Sequence, residues 1–187
     1  MSKKLFFIVA AVSLCFCGVS RGAYNPFFGD AKNQVAFGLG QGFDDGFLVG
    51  LPVKIVPYYS FHSAYSQPTT FFRVPARQSI NIDMNIGMGN ARGWEWDNYS
   101  IPIIYLSEDV PLIYSHNWAV GTGVGMGFQG KQNNRLGSKL LFGFKLFGRY
   151  NINKTTGIEL YMQHFSNGNT AENHSYLFYG LGLTYNF

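Results

Sequence analysis

The chain has 187 residues, enough for one domain with a sizeable interior. It carries 18% aromatic residues and 23 Gly but only 13% charged residues, against roughly 25% in ordinary soluble domains, so something other than water is expected to cover much of its surface. The formal net charge of +4 comes without a basic stripe interleaved with aromatics, without a Cys/His cluster at metal-ligand spacing and without a glycine-rich phosphate motif ending in lysine; nucleic acid, nucleotides, metals and other cofactors are not expected.

At the N-terminus Lys3 and Lys4 precede the apolar run "LFFIVAAVSLCFC", and small residues follow at Gly18, Ser20, Gly22 and Ala23. This pattern predicts a secretory signal peptide over 1–22 and a single mature domain over 23–187. The apolar run is shorter than the ~18 to 20 residues of a spanning helix, and no later segment comes closer. A lipidated Cys15 or Cys17 would call for a small residue before it, where Leu14 and Phe16 stand. Both cysteines fall inside the signal, so the mature chain needs no disulfide. Removing Lys3, Lys4 and Arg21 leaves 11 basic against 10 acidic residues, so the basic balance belongs mostly to the signal.

From there the hydrophobic pattern has period two, the signature of strands. Eight strands are predicted, over 33–42, 53–65, 76–89, 99–107, 116–129, 139–151, 155–166 and 174–187. Pro52, Pro57 and Pro102 interrupt the second and fourth. In the third, Ile80, Ile82, Met84, Ile86 and Met88 alternate with Ser79, Asn81, Asp83, Asn85 and Gly87. In the fifth, Trp118, Val120, Thr122, Val124, Met126 and Phe128 alternate with Ala119 and four glycines. The sixth sets Leu140, Phe142, Phe144 and Leu146 against Gly143, Lys145 and Arg149, with Leu141 and Phe147 as exceptions. The eighth sets Leu177, Tyr179, Leu181, Leu183, Tyr185 and Phe187 against Gly180, Gly182, Thr184 and Asn186.

A soluble barrel would hide the bulky set and show the other to water, yet here the second face is largely glycine, a poor solvent-facing strand residue. An eight-stranded antiparallel transmembrane β-barrel of the outer-membrane type inverts that arrangement: bulky residues meet lipid, and small or polar ones line a narrow lumen. Short turns lie on the periplasmic side of such barrels and long loops outside. "NINKT" is then a periplasmic turn, whereas "NARGWEWDNYS", "QGKQNNRLGSK" and residues 167–173 are external. Trp94, Trp96 and Tyr99 fit an aromatic girdle near the headgroups, and His62 and His116 read as surface or girdle residues. Glu159 and Gln163 face the lumen, with pairings 149–157 and 147–159 across the "NINKT" turn bringing Glu159 within reach of Arg149 or Lys145.

The seventh strand, "TGIELYMQHFS", raises the functional question. Ile158, Leu160 and Met162 face lipid, and parity puts His164 and Ser166 on the same face at its outer end. Polar groups aimed at a bilayer cost several kcal/mol unless something uses or satisfies them. Residues two apart on one face of a strand bring an imidazole close enough to take a hydroxyl proton, which makes serine a nucleophile suited to an ester. Glu172 is the nearby acid that would orient the imidazole, and Asn167 or the Gly168 backbone would stabilise an oxyanion.

These residues resemble the outer-membrane lipid A 3-O-deacylases (PagL-like), whose signature His-x-Ser-Asn near the C-terminus is matched by His164-Phe165-Ser166-Asn167. The resemblance also covers mature length, strand number and the terminal aromatic. It implies that His164 is the base, Ser166 the nucleophile and Asn167 part of the oxyanion hole, with an acid about a dozen residues later. Aligning Ser175-Tyr176 with the family's Glu-Ser-Tyr step puts His174 where the glutamate belongs. Strand parity counted back from Phe187 puts Asn173 and Ser175, not Glu172, on the lipid face. Glu172 is nonetheless preferred over His174 or Asn173, because a carboxylate stabilises an imidazolium better.

The expected partners are lipid A or lipopolysaccharide as substrate, outer-membrane lipids, and the barrel-assembly machinery that reads an aromatic C-terminus; a homodimer is left open. Two other classes share most of these features. A non-catalytic outer-membrane barrel, structural or adhesin-like, differs only in the His-x-Ser-Asn placement. A soluble lipid-binding barrel differs in folding without detergent.

Overall fold

A computed structural model describes residues 24–43, 55–88, 99–132, 136–171 and 175–187. The predicted signal, with Cys15 and Cys17, lies outside the described residues, as do Trp94 and Trp96. Eight antiparallel strands follow one another around a closed barrel: β1 (Gln34–Phe43), β2 (Ile55–Phe71), β3 (Val74–Gly87), β4 (Tyr99–Tyr114), β5 (Trp118–Gln129), β6 (Leu140–Asn151), β7 (Thr156–Ser166) and β8 (Tyr176–Asn186). One rung leaves β8 at Asn186 and passes through Gln34, Ser66, Ser79, Ser107, Gly125, Gly143 and Phe165. It returns to β8 at Tyr176, ten residues away. A shear of ten on eight strands tilts each strand by about 40° and leaves an interior just wide enough for side chains to fill.

The alternation in the sequence maps onto this wall. Ile80, Ile82, Met84, Val120, Val124, Phe128, Leu181, Leu183 and Tyr185 are exposed, and with Phe37, Leu39, Phe61, Ile104 and Leu160 they form an apolar outer surface. Their partners in alternation, Asn81, Asp83, Asn85 and Thr184 among them, are buried inside. A solvent of hydrocarbon is the physical condition under which that surface is stable, and closure leaves no unpaired strand edge in it.

Two predicted strands are longer than expected. β2 runs to Phe71 instead of 65, and β4 to Tyr114 instead of 107. Pro57 and Pro102 lie within these strands without ending them, and Pro52 lies outside the described residues. Pro57 falls where the β1–β2 register shifts, between the Tyr59 and Ile55 pairings, and Pro111 falls at the irregularity of the β4–β5 ladder, so in those two ladders the missing N–H coincides with a break. The hairpin joining β2 to β3 turns on Phe72 and Arg73, both at positive φ, 47° and 68°. A two-residue turn normally advertises itself with Asn or Gly, and this one does not.

The lumen is packed in three layers. Toward the long loops, Tyr58, Tyr105, Phe165, Tyr176 and Phe178 close it with Val56, Ile103, Leu136 and Leu141. Toward the short turns, Phe27, Phe28, Ala119, Phe147 and Tyr161 form a second apolar cluster. Leu141 and Phe147, the two exceptions to alternation in β6, thus sit with the inward set. Lumen glycines make room for these rings: a Cβ on Gly180 would overlap the Tyr161 ring, and one on Gly38 would lie 3.0 Å from its hydroxyl.

Charged groups lie between the apolar layers. Arg77 Nε donates to Asp109 Oδ2 at 3.0 Å and its Nη1 to Gln34 Oε1 at 2.9 Å, while Nη2 lies 2.9 Å from Glu159 Oε2. Lys145 Nζ lies 2.6 Å from Glu159 and 3.3 Å from Asp109. Of the two partners expected for Glu159, Lys145 therefore pairs with it. Arg149 stands opposite Glu159 in the ladder, two residues from the expected 149–157 pairing, and its Nε donates to Asn151 Oδ1 at 2.8 Å. Pairing of this kind is the condition for carrying charges inside a membrane protein.

Candidate active site

His164 and Ser166 occupy the outward positions at the end of β7, continuing the face of Ile158, Leu160 and Met162, and both are half-buried. Glu159, Tyr161, Gln163 and Phe165 between them are buried in the lumen. Antiparallel pairing sets their neighbours: His164 stands between Phe144 on β6 and Leu177 on β8, and Ser166 opposite Phe142 on β6. The polar pair thus stands in an apolar surround of two phenylalanines and a leucine.

Leu177 is held by a buried hydroxyl. Tyr58 Oη donates to Phe43 O at 2.6 Å and accepts the Leu177 N–H at 3.1 Å. That bond ties the start of β8, directly across from His164, to the packed aromatic layer within, which gives the outer site a rigid backing.

Beyond Ser166 the chain makes a compact turn. Asn167 is wholly buried. Its Oδ1 accepts the Asn169 N–H at 2.9 Å, and its carbonyl accepts the Thr170 hydroxyl at 2.8 Å, an Asx-type turn in which the side chain replaces a backbone acceptor. Gly168 follows at φ +64° and Asn169 at +59°. Gly168 is exposed and lies over the Phe142 ring, whose edge would be 3.1 Å from any added Cβ. Of the two oxyanion donors nominated from sequence, Gly168 is therefore the one presented at the surface, with Asn167 shaping the turn that presents it.

Glu172 and the alternatives His174 and Asn173 lie outside the described residues. Ser175 is described, and it departs from parity: it is buried, sits outside the ladder and takes φ +46°. Continuing the β7–β8 pairing one step past Phe165–Tyr176 sets it across from Ser166. A non-glycine residue in the left-handed region is uncommon, and such strain concentrates at functional positions. Alternation alone could not expose this, because a left-handed residue ends the extended geometry on which counting by two depends.

His116 lies in the exposed turn between β4 and β5, where its ring stacks on Tyr24 and its carbonyl accepts the Tyr24 hydroxyl. His62 corrects the sequence reading. It points into the lumen, where Nδ1 lies 2.6 Å from Asp83 Oδ1, directly opposite in the ladder. Even residues of β2 face inward, and the prolines that obscured this strand also hid its parity. Ser60, Tyr105, Tyr161 and Lys145 line the same space, so a serine, a histidine and a carboxylate meet here too. The space left amounts to about 10 Å³, room for one water at most, and apolar layers shut it on both sides. This cluster is an internal polar network with no route for a substrate, whereas the β7 pair opens onto the outer wall.

Among solved structures the chain is similar to one described as "De novo design of transmembrane beta-barrels", with a TM-score of 0.53 and 7% sequence identity over 84% of this chain and 96% of that one. At that identity the likeness bears on the fold alone: the protein is a small transmembrane β-barrel, consistent with an outer-membrane location. No family model matches the chain, and no curated protein matches it.

Proposed function

We propose that the protein is a serine esterase of the outer leaflet, a lipid A 3-O-deacylase that hydrolyses an ester-linked hydroxyacyl chain of lipopolysaccharide. The observation that carries the reading is the half-exposed His164–Ser166 pair on the apolar outer wall, at the end of β7 that leads into residues 167–171 rather than the short turn. A substrate with acyl chains in the bilayer and an ester near the headgroup can meet such a pair from the membrane side, without entering the filled lumen.

His164 takes the proton of Ser166 as Oγ attacks the ester carbonyl, and the oxyanion that forms is received by the Gly168 N–H within the turn shaped by Asn167. The proton then passes to the departing sugar oxygen. Water, activated by the same imidazole, releases the hydroxy fatty acid from Ser166. Glu172 supplies the carboxylate that orients and stabilises the imidazolium, with His174 as the other residue at that step.

Mass spectrometry of lipid A incubated with purified protein tests this. Wild type should remove one ester-linked hydroxyacyl chain. Ser166→Ala should give a folded, heat-modifiable barrel with activity lower by several orders of magnitude, and His164→Asn should match it, with the double variant costing little more. Glu172→Gln compared with His174→Ala identifies the orienting residue. Unchanged lipid A with wild type, or activity in Ser166→Ala equal to wild type, leaves the non-catalytic barrel as the reading.

A further inference from the structure

Just before β1, residues 25–29 make a tight excursion into the barrel. Asn25 and Gly29 form an isolated bridge, the Phe28 and Gly29 N–H groups both donate to Asn25 O at 3.1 and 2.8 Å, and Gly29 takes φ +59° to close the loop. Phe27 and Phe28 at its tip are wholly buried. The Phe27 ring lies 4.7 Å from Arg77 Cζ and 5.5 Å from the Phe147 ring, so it forms the floor of the charged layer.

Side chains from three strands and a backbone carbonyl of a fourth hold the loop. Gln34 on β1 and Asn186 on β8 donate to Phe27 O at 3.0 and 3.1 Å, and Asn151 at the end of β6 donates to Pro26 O at 3.0 Å. Asn25 Nδ2 reaches Ala76 O on β3 at 2.9 Å. Among the described residues, the backbone of 25–29 makes no ladder bond to any strand. The loop can therefore leave without opening a rung. Above it lies a polar chamber lined by Ser66, Arg77, Ser79, Asp109, Lys145 and Glu159 that has room for about one water. The aromatic layer beneath the long loops roofs it.

We propose that residues 24–30 are a stopper: a separable N-terminal plug that docks into an already closed barrel and seals its charged middle layer at the short-turn end, the periplasmic end by the rule for such barrels. The ring of Phe27 is the seal, and the amides of Gln34, Asn151 and Asn186 are the catch.

A single-cysteine reporter tests it. Ser79→Cys is placed in the full chain together with Cys15→Ser and Cys17→Ser, which removes the other thiols, and its reaction with a water-soluble, membrane-impermeant methanethiosulfonate is timed on the folded protein. The reporter should react slowly in the otherwise native chain and at least tenfold faster with Phe27→Gly, while heat-shifted gel mobility shows the barrel intact in both. Asn25→Ala, which loosens the loop but keeps the ring, should fall between them. Equal rates with and without Phe27, whether fast or slow, would overturn the proposal. So would failure of both variants to form a heat-modifiable barrel, because the segment would then belong to the barrel's folding core.

Discussion

Replacing Arg77 with Met asks how far the barrel depends on one buried cation. Arg77 stands opposite Asp109 in the β3–β4 ladder, both are nearly inaccessible, and its guanidinium also meets Glu159 from β7 and Gln34 from β1. Removing one member of a buried ion pair typically costs 3–5 kcal/mol, because the partner charge is left uncompensated. Here Lys145 stays within 3.3 Å of Asp109 and 2.6 Å of Glu159, which places the loss at the lower end, about 3 kcal/mol. Adding Asp109→Leu removes the orphaned charge while the Lys145–Glu159 contact survives. The double variant should therefore lie only about 1 kcal/mol below wild type, roughly the cost of the donor lost to Gln34. Urea unfolding in detergent micelles, followed by tryptophan fluorescence and by the fraction that keeps its folded gel mobility, measures wild type, each single variant (Arg77→Met and Asp109→Leu) and the double variant. A double variant that loses the sum of the two single losses would refute the pairing, since coupled neighbours do not add.

Two further outcomes follow from the packed lumen. In planar lipid bilayers the protein should show no steady ion conductance, and Phe27→Gly alone should leave it silent because Tyr58, Tyr105, Phe165, Tyr176 and Phe178 still close the other end; a stable open channel in wild type would contradict the layered interior. Gly180→Ala should lower stability in urea titration by about 1–3 kcal/mol through overlap with the Tyr161 ring, and adding Tyr161→Ala should relieve the overlap, so that the double variant is hurt less than the two single effects predict.

Strand order and most of the lipid-facing set were legible from the sequence, because alternation is a local property. Phe142 and Leu177, expected to face lipid, are instead buried at the long-loop end, where packing rather than parity decides exposure. Which side Ile80, Val124 or Leu183 takes depends only on the pleat and on the solvent outside. The same local rule carried His164 and Ser166 to the outer wall and Lys145, Arg149 and Glu159 to the lumen. It lost its hold where extended geometry is interrupted. Phe72 and Arg73 turn the chain without glycine, Ser175 leaves the ladder at positive φ, and the prolines of β2 concealed that His62 points inward.

Partner identity was decided by tertiary structure alone. Arg77 meets Glu159 because a shear of ten brings β3 and β7 to the same height on opposite sides of a narrow lumen, and no spacing along the chain encodes that height. Asn167 and Gly168 are adjacent in sequence, yet one is buried as the acceptor of an Asx turn and the other is exposed above Phe142. Phe27 is an aromatic residue before the first strand until a closed ring of eight strands exists to receive it. Each of these depends on the closed circle, since contacts across a barrel form only when its first and last strands have met.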